Sequence, residues 1–96
     1  MTNKKIAIWG CGDIGHKFIK EYKDKVKIDC IIDSKVKNQK LINIEGTEYS
    51  IFNPEYLRTN PVFVIVCIKN SKEQIYSKLK EFGMTMFNDF VPYTEF

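Results

Sequence analysis

Three glycines in one short stretch constrain the fold of this chain more than any other feature of the sequence. Residues 6–18 read IAIWGCGDIGHKF, so Gly10, Gly12 and Gly15 follow an apolar run with the spacing G-x-G-x-x-G. The next apolar side chains recur at helical spacing and form one stripe, which consists of Ile14, Phe18, Ile19 and Tyr22. A buried strand, a glycine turn and a helix are therefore expected in that order.

The rest of the chain alternates between apolar runs and helical patterns. The predicted strands are residues 5–9, 26–32, 47–52, 62–68 and 84–87. The polar, lysine-rich residues 34–45 are predicted to form a surface loop. Strands that alternate with helices indicate an α/β fold with a doubly wound, Rossmann-like parallel sheet of about five strands. Helices are expected on both faces, and the expected strand order is 3-2-1-4-5.

Two further helices are predicted from their end signals. A short helix is expected after Asn53, because asparagine is a favoured N-cap and Pro54 suits the first helical position. Ser71 and Gln74 have the spacing of a capping box at the start of a longer helix. Gly83 is predicted to end that helix.

Composition narrows the class of protein. The 96 residues are 44% hydrophobic and 28% charged, which is typical of one globular domain spanning residues 1–96. No apolar run reaches about 18 residues and no signal-peptide pattern is present, so we expect no membrane span and a cytoplasmic location. The net charge is +3, but the lysines are spread out, whereas nucleic-acid binding needs a denser basic face. We expect no nucleic-acid partner.

The cysteines predict neither disulfides nor a metal site. Cys11, Cys30 and Cys67 form no C-x-x-C pair, and His16 is the one histidine of the chain. Cys30 and Cys67 lie in apolar runs, where buried thiols are expected. Cys11 is a candidate reactive thiol, because a helix N-terminus often lowers the pKa of a thiol. The sequence places no general base beside it, so we expect no catalysis by this chain alone.

The glycine turn and the end of the second strand form the predicted binding site. Ligands of parallel sheets bind beyond the carboxyl ends of the strands, where the strand order reverses. Gly10 would make the tight turn, Gly12 would let the backbone approach a diphosphate, and Gly15 would allow close helix–strand packing. Asp33 would accept hydrogen bonds from ribose hydroxyls. The predicted binding residues are Gly10, Cys11, Gly12, Asp13, Ile14, Gly15, Asp33, Ser34, Lys69 and Asn70.

Asp13 leaves open whether a diphosphate binds in this turn. A carboxylate in the first turn of a helix is favoured by the helix dipole, but it would repel a diphosphate that uses the same N–H groups. Lys69 would offset this repulsion, either as a partner of Asp13 or as a phosphate contact. The alternative is that the glycines serve close packing alone and that the site is not used.

The chain resembles the Rossmann-like nucleotide-binding domains of bacterial surface-polysaccharide biosynthesis enzymes, such as the N-terminal domain of amino-sugar acetyltransferases. The resemblance rests on IAIWGCGDIGHKF, IDCIIDSK, the Gly46 turn before YSIFNPEYL, VFVIVCIKN and KLKEFGM. It implies a cradle for the uridine-diphosphate part of a sugar substrate. The residues that would line this cradle are Gly10, Gly12, Asp33, Lys69 and Asn70.

The sequence departs from this family in two respects. Asp13 and Ile14 stand where the family often has Gly-Gly-His. The hexapeptide-repeat catalytic domain is also missing, so the resemblance does not imply acetyl transfer by this chain.

Three functions therefore remain open. The first is a nucleotide-binding domain that prefers a UDP-sugar and acts with a partner catalytic domain. The second is an NAD(P)-binding oxidoreductase or redox-sensing domain, in which Asp33 would favour NAD. The third is a structural module that has lost the site, in which Phe90, Tyr93 and Phe96 seal the interface of a homo-oligomer.

Overall fold

A six-stranded, mostly parallel sheet organises residues 5–96, the part of the chain that this computed structural model describes. The strands are β1 (Lys5–Trp9), β2 (Ile28–Ile32), β3 (Lys40–Ile44), β4 (Thr47–Phe52), β5 (Val62–Val66) and β6 (Phe90–Pro92). Their order is β3-β4-β2-β1-β5-β6, and only β3 and β4 pair antiparallel within this part of the chain. The helices are α1 (Asp13–Tyr22), α2 (Lys72–Glu81) and the 3-10 helices Pro54–Arg58 and Tyr93–Glu95.

Helices cover both faces of the sheet, as the apolar runs of β1, β2 and β5 require. Phe18 and Ile19 of α1 pack against one face, which includes Ile8 of β1. Leu79 of α2 and Leu57 of the 3-10 helix pack against the other face. Because central strands with two buried faces cannot alternate polar and apolar residues, their sequences are almost continuously apolar. None of the helices within residues 5–96 is long and apolar enough to cross a membrane.

Strand β3 corrects the predicted strand number and order. Residues 34–45 were expected to form a loop, but Lys40–Ile44 pairs antiparallel with β4, so the sheet has six strands rather than five. The first four predicted strands lie in the predicted order 3-2-1-4, and β3 is added beside β4 at the edge of the sheet. Glu45 and Gly46 connect the two strands with φ values of 52° and 81°, the backbone of a tight hairpin turn. β3 is a short edge strand whose side chains are mostly exposed, and it directly follows the lysine-rich residues 34–39, so its residues were interpreted as part of the same loop.

The last predicted strand is also misplaced. Residues 84–87 were expected to pair, but β6 begins at Phe90, and the segment before it is a tight loop. Asp89 closes this loop, because its Oδ2 accepts hydrogen bonds from the backbone N–H and the hydroxyl of Thr85 at 2.8 and 3.0 Å. Phe87, inside the loop, has a φ of 72°. A residue with left-handed backbone cannot continue a strand.

Two of the three predicted helix signals are confirmed. Asn53 caps the 3-10 helix, because its Oδ1 accepts a hydrogen bond from the N–H of Glu55 at 3.0 Å. Gly83 ends α2 with a φ of 85°. The prediction of a capping box is wrong, because the side chain of Ser71 makes no cap hydrogen bond. Ser71 has a φ of 63°, so it lacks the extended backbone that is typical of an N-cap residue.

The aromatic tail packs on its own chain. Phe90 is fully buried in β6 and lies 5.7 Å from the ring of Tyr76. Phe96 contacts the rings of Phe18 and Tyr22 edge-on at 5.4 and 5.3 Å. Phe90 therefore belongs to the core and is not available for the subunit interface in which the structural-module hypothesis places it.

Candidate functional site

A cleft of about 500 Å³ opens at the carboxyl ends of β1, β2 and β5. Because β1 lies between β2 and β5, this is the point where the chain order of the sheet reverses, and parallel sheets bind ligands there. The residues that line the cleft are Trp9, Gly10, Cys11, Gly12, Asp33, Ser34, Lys35, Ile68, Asn70, Ser71, Gln74 and Ile75. The structure thus brings the glycine turn and the end of β2 together with the start of α2.

Gly10 and Gly15 are demanded by the fold itself. Gly10 has a φ of 122°, and a Cβ atom there would lie 2.8 Å from the carbonyl oxygen of Cys67. A Cβ atom on Gly15 would overlap the carbonyl oxygen of Gly10. These two glycines allow α1 to approach β1 and β5, so packing alone explains them.

Gly12 is different, because nothing in the fold requires a glycine there. Its φ is −94°, which any residue adopts, and a Cβ atom would have no neighbour within 4 Å among the described residues. It is the N-cap of α1, and its carbonyl oxygen accepts hydrogen bonds from the backbone N–H and the Nδ1 of His16, at 3.0 and 2.9 Å. These hydrogen bonds hold the backbone of Gly12 in a fixed orientation at the rim of the cleft, with open space in front of it.

Two hydrogen bonds anchor Asp33, which directly follows β2. Its backbone N–H donates to the carbonyl oxygen of Phe52 at 3.0 Å, and its Oδ1 accepts the N–H of Lys35 at 2.9 Å. The side chain is half-buried, and its Oδ2 has no hydrogen-bond partner within residues 5–96. One carboxylate oxygen thus holds the loop while the other is available to a ligand hydroxyl.

The surroundings of Cys11 disfavour the thiolate form of its side chain. Burial raises the pKa of its thiol, and the nearby Asp33 carboxylate raises that pKa further. The expectation that the helix N-terminus lowers this pKa is therefore wrong. Burial also raises the pKa of Cys30 and Cys67 to about 12, in agreement with their prediction as buried thiols.

Four of the predicted binding residues do not line the cleft: Asp13, Ile14, Gly15 and Lys69. Gly15 is buried in α1. Asp13 is exposed at the first position of α1, and Ile14 packs against the core on the face that α1 covers. Lys69 is exposed, and no ion pair joins it to Asp13 in the described part of the chain. The lysine that lines the cleft is Lys35.

Sequence reasoning missed the contribution of α2 to the cleft. Ser71 and Gln74 were interpreted as a capping pair, and neither was counted among the predicted binding residues. Their position directly after the most apolar strand was the available signal. Trp9 and Ile75 were assigned to the core by their apolar patterns, although they also line the cleft. Residues 5–96 contain no group of three or more His, Cys, Asp or Glu side chains that could hold a metal ion.

Comparison with known proteins shows the fold and does not show a family. No family model and no curated protein matches the chain. Among solved structures, the chain is similar to aspartate semialdehyde dehydrogenase II from Vibrio cholerae, crystallised in complex with ASA, with a TM-score of 0.63 and 13% sequence identity. The match covers 95% of this chain and 31% of the dehydrogenase chain, so this chain spans less than a third of that protein. The fold is α/β and Rossmann-like.

Proposed function

We propose that this chain is a nucleotide-binding domain whose cleft holds the diphosphate and a ribose of its ligand. The proposal is based on the position of Gly12. A glycine that neither packing nor backbone conformation requires leaves room in front of the main chain, which is what a diphosphate needs in order to approach.

The start of α1 supplies the groups that a diphosphate would contact. The first hydrogen bond of the helix runs from the N–H of His16 to the carbonyl oxygen of Gly12. The N–H groups of residues 13–15 therefore have no partner within the helix, and the helix dipole adds partial positive charge there. Such N-termini bind phosphate groups. Lys35, which lines the same cleft, adds a cation.

The ribose is assigned to Asp33. Its unpartnered Oδ2 can accept hydrogen bonds from the two hydroxyls of an unmodified ribose, and a phosphate at that position would meet its negative charge. The proposal therefore favours UDP- or ADP-containing ligands and NAD over NADP.

The resemblance to surface-polysaccharide enzymes supports a UDP-sugar as the ligand, with a partner catalytic domain to act on it. The similarity to a dehydrogenase supports a second candidate, an NAD-linked oxidoreductase domain. Both candidates use the same Gly12 and Asp33 contacts.

Trp9 provides the experiment, since it is the one tryptophan of the chain and it lines the cleft. Its fluorescence would be followed while UDP, UDP-glucose, ADP and NADH are titrated into the full chain. Because alanine is a poorer N-cap than glycine, we expect Gly12→Ala to lose about 1 kcal/mol in the free energy of unfolding and to remain folded. The variant should lose about tenfold or more in affinity, because the new methyl group occupies the diphosphate position.

A second pair of variants tests the ribose contact. Asp33→Asn should lose about tenfold in affinity, whereas Asp24→Asn, an exposed position outside the cleft, should bind as the wild type does. The proposal fails if no nucleotide binds at about 5 mM, or if Gly12→Ala binds as tightly as the wild type. Tighter binding of NADH than of UDP-glucose would favour the oxidoreductase candidate.

A further inference from the structure

The cleft has two chemically different walls. The wall from β2 carries both of the charged residues that line the cleft, Asp33 and Lys35. The wall from β5 and α2 is lined by uncharged polar side chains, and we name it the amide wall: Asn70, Ser71 and Gln74. A ligand that fills the cleft would therefore meet opposite kinds of surface at its two ends.

The polar side chains of the amide wall are not used by the fold. Within residues 5–96, Asn70, Ser71 and Gln74 make no side-chain hydrogen bond to the protein. By contrast, Asn53 accepts an N–H and donates to a backbone carbonyl at 2.8 Å. Because amides and hydroxyls both donate and accept hydrogen bonds, the amide wall matches groups that do the same.

Apolar side chains lie beside these polar groups. Ile68, which follows β5, and Ile75 of α2 line the same part of the cleft and are half-buried. A surface of this kind fits a ring that has apolar faces and hydrogen-bonding edges.

The charges around the amide wall do not select an anion. Lys69 and Lys72 flank it in sequence, but neither lines the cleft. The N-terminus of α2 would attract an anion, and Glu73 in its first turn opposes that attraction. A carboxylate placed against the amides would meet no cationic side chain among the residues that line this wall, so the hydration it loses there would not be offset.

We propose that the amide wall binds an uncharged ring with hydroxyl or carboxamide groups, attached to the diphosphate of the nucleotide, and discriminates against an anionic group there. This inference rests on the proposed nucleotide function. The shared chemistry covers a hexose, as in a sugar nucleotide, and a ribose, as in the second half of a dinucleotide.

The test compares pairs of probes that differ only in this group. UDP-glucose should bind the full chain about tenfold more tightly than UDP if the ring is a hexose, and ADP-ribose should exceed ADP by the same factor if it is a ribose. UDP-glucuronate adds one carboxylate to the hexose and should lose most of the gain. The inference would be overturned if UDP-glucose bound no more tightly than UDP and ADP-ribose bound no more tightly than ADP. Equal affinities for UDP-glucose and UDP-glucuronate would overturn it as well.

Variants then assign the effect to the wall. Asn70→Ala and Gln74→Ala should each reduce the ratio between the affinity for the preferred sugar-bearing probe and the affinity for its parent diphosphate about threefold. Gln74→Lys should shift the preference toward UDP-glucuronate. Asn88→Ala is the matched control, an exposed amide that precedes β6 at the opposite end of the sheet.

The two proposals fail in different ways. If UDP and ADP bind and depend on Asp33, but the wall variants weaken the parent and the sugar-bearing probe equally, the nucleotide site stands and the inference is wrong. If no probe binds the wild type, the nucleotide function falls and the inference falls with it.

Discussion

The turn from β1 into α1 and the turn from β5 into α2 lie side by side at the cleft and are built differently. In the first, Gly10 and Gly15 bring backbone against backbone, leaving no room for side chains. The second contains no glycine, and Ser71 adopts a φ of 63° there. The first turn offers main-chain N–H groups to a ligand, whereas the second offers side chains.

This difference separates two requirements on the molecule. Substitutions at the packed positions of the first turn change the stability of the fold, because any added atom meets backbone. Substitutions at the exposed positions of the second turn change which groups face the cleft, and little packing depends on them. If the proposed nucleotide binds, the first turn would fix the place of its diphosphate and the second turn would select the group attached to it.

The largest effect is expected for Gly15→Ala. The new methyl group would overlap the carbonyl oxygen of Gly10, so α1 must move away from β1, and we expect a loss of about 3 kcal/mol or more in the free energy of unfolding. Urea denaturation measures this loss. Gly12→Ala is the matched control, since it is the same substitution in the same turn with no neighbour to meet. If the two variants were equally stable, packing would not distinguish Gly15 from Gly12, and the contrast drawn between these two glycines would be wrong.

The same contrast explains what the sequence could predict. The glycine spacing and the continuous apolar run of residues 62–68 predicted the Rossmann-like sheet and the place of the cleft, because central parallel strands are apolar throughout. Strand β3 was not predicted because it is a short, mostly exposed edge strand that directly follows the lysine-rich residues 34–39. Its signal was the turn at Glu45 and Gly46 between two short patterned segments.

The site was predictable where the backbone forms it and less so where side chains do. Gly12 and Asp33 occupy the expected cleft because their places follow from strand ends. Lys35 and Gln74 line the cleft through the path of a loop and the orientation of a helix, which the spacing of residues does not determine. Lys69 was favoured over Lys35 for the same reason.

A smaller effect is expected for Ser71→Gly, which sharpens the comparison by placing a glycine in the second turn. Left-handed backbone costs a non-glycine residue about 1–2 kcal/mol, and replacement of Ser71 by glycine removes this strain. Part of the gain is lost, because glycine has more conformational freedom in the unfolded chain. We expect a gain of about 0.5 kcal/mol in the free energy of unfolding, together with weaker binding of the preferred sugar-bearing probe.

Ser77→Gly is the control for this variant. Ser77 is exposed in the middle of α2, where glycine should cost about 0.5 kcal/mol relative to serine. Urea denaturation of both variants should therefore give shifts of opposite sign. A loss of stability in Ser71→Gly would mean that the second turn is not strained, and the contrast between the two turns would then rest on side-chain chemistry alone.

The smallest effect is expected for Asp13→Asn, which tests whether the first turn is open to an anion. Asp13 carries a negative charge at the N-terminus of α1, so its removal should cost about 0.3–0.5 kcal/mol of stability. The same removal should tighten UDP or ADP binding about two- to threefold, because the diphosphate no longer meets a like charge near the same N–H groups. Titration of Trp9 fluorescence at low ionic strength measures this change, and added salt should reduce it because screening weakens the repulsion between exposed charges.

Glu21→Gln, near the carboxyl end of the same helix, should raise stability slightly and leave the affinity unchanged. If Asp13→Asn weakens diphosphate binding instead, the carboxylate itself takes part in binding, and the first turn would use a side chain as the second does.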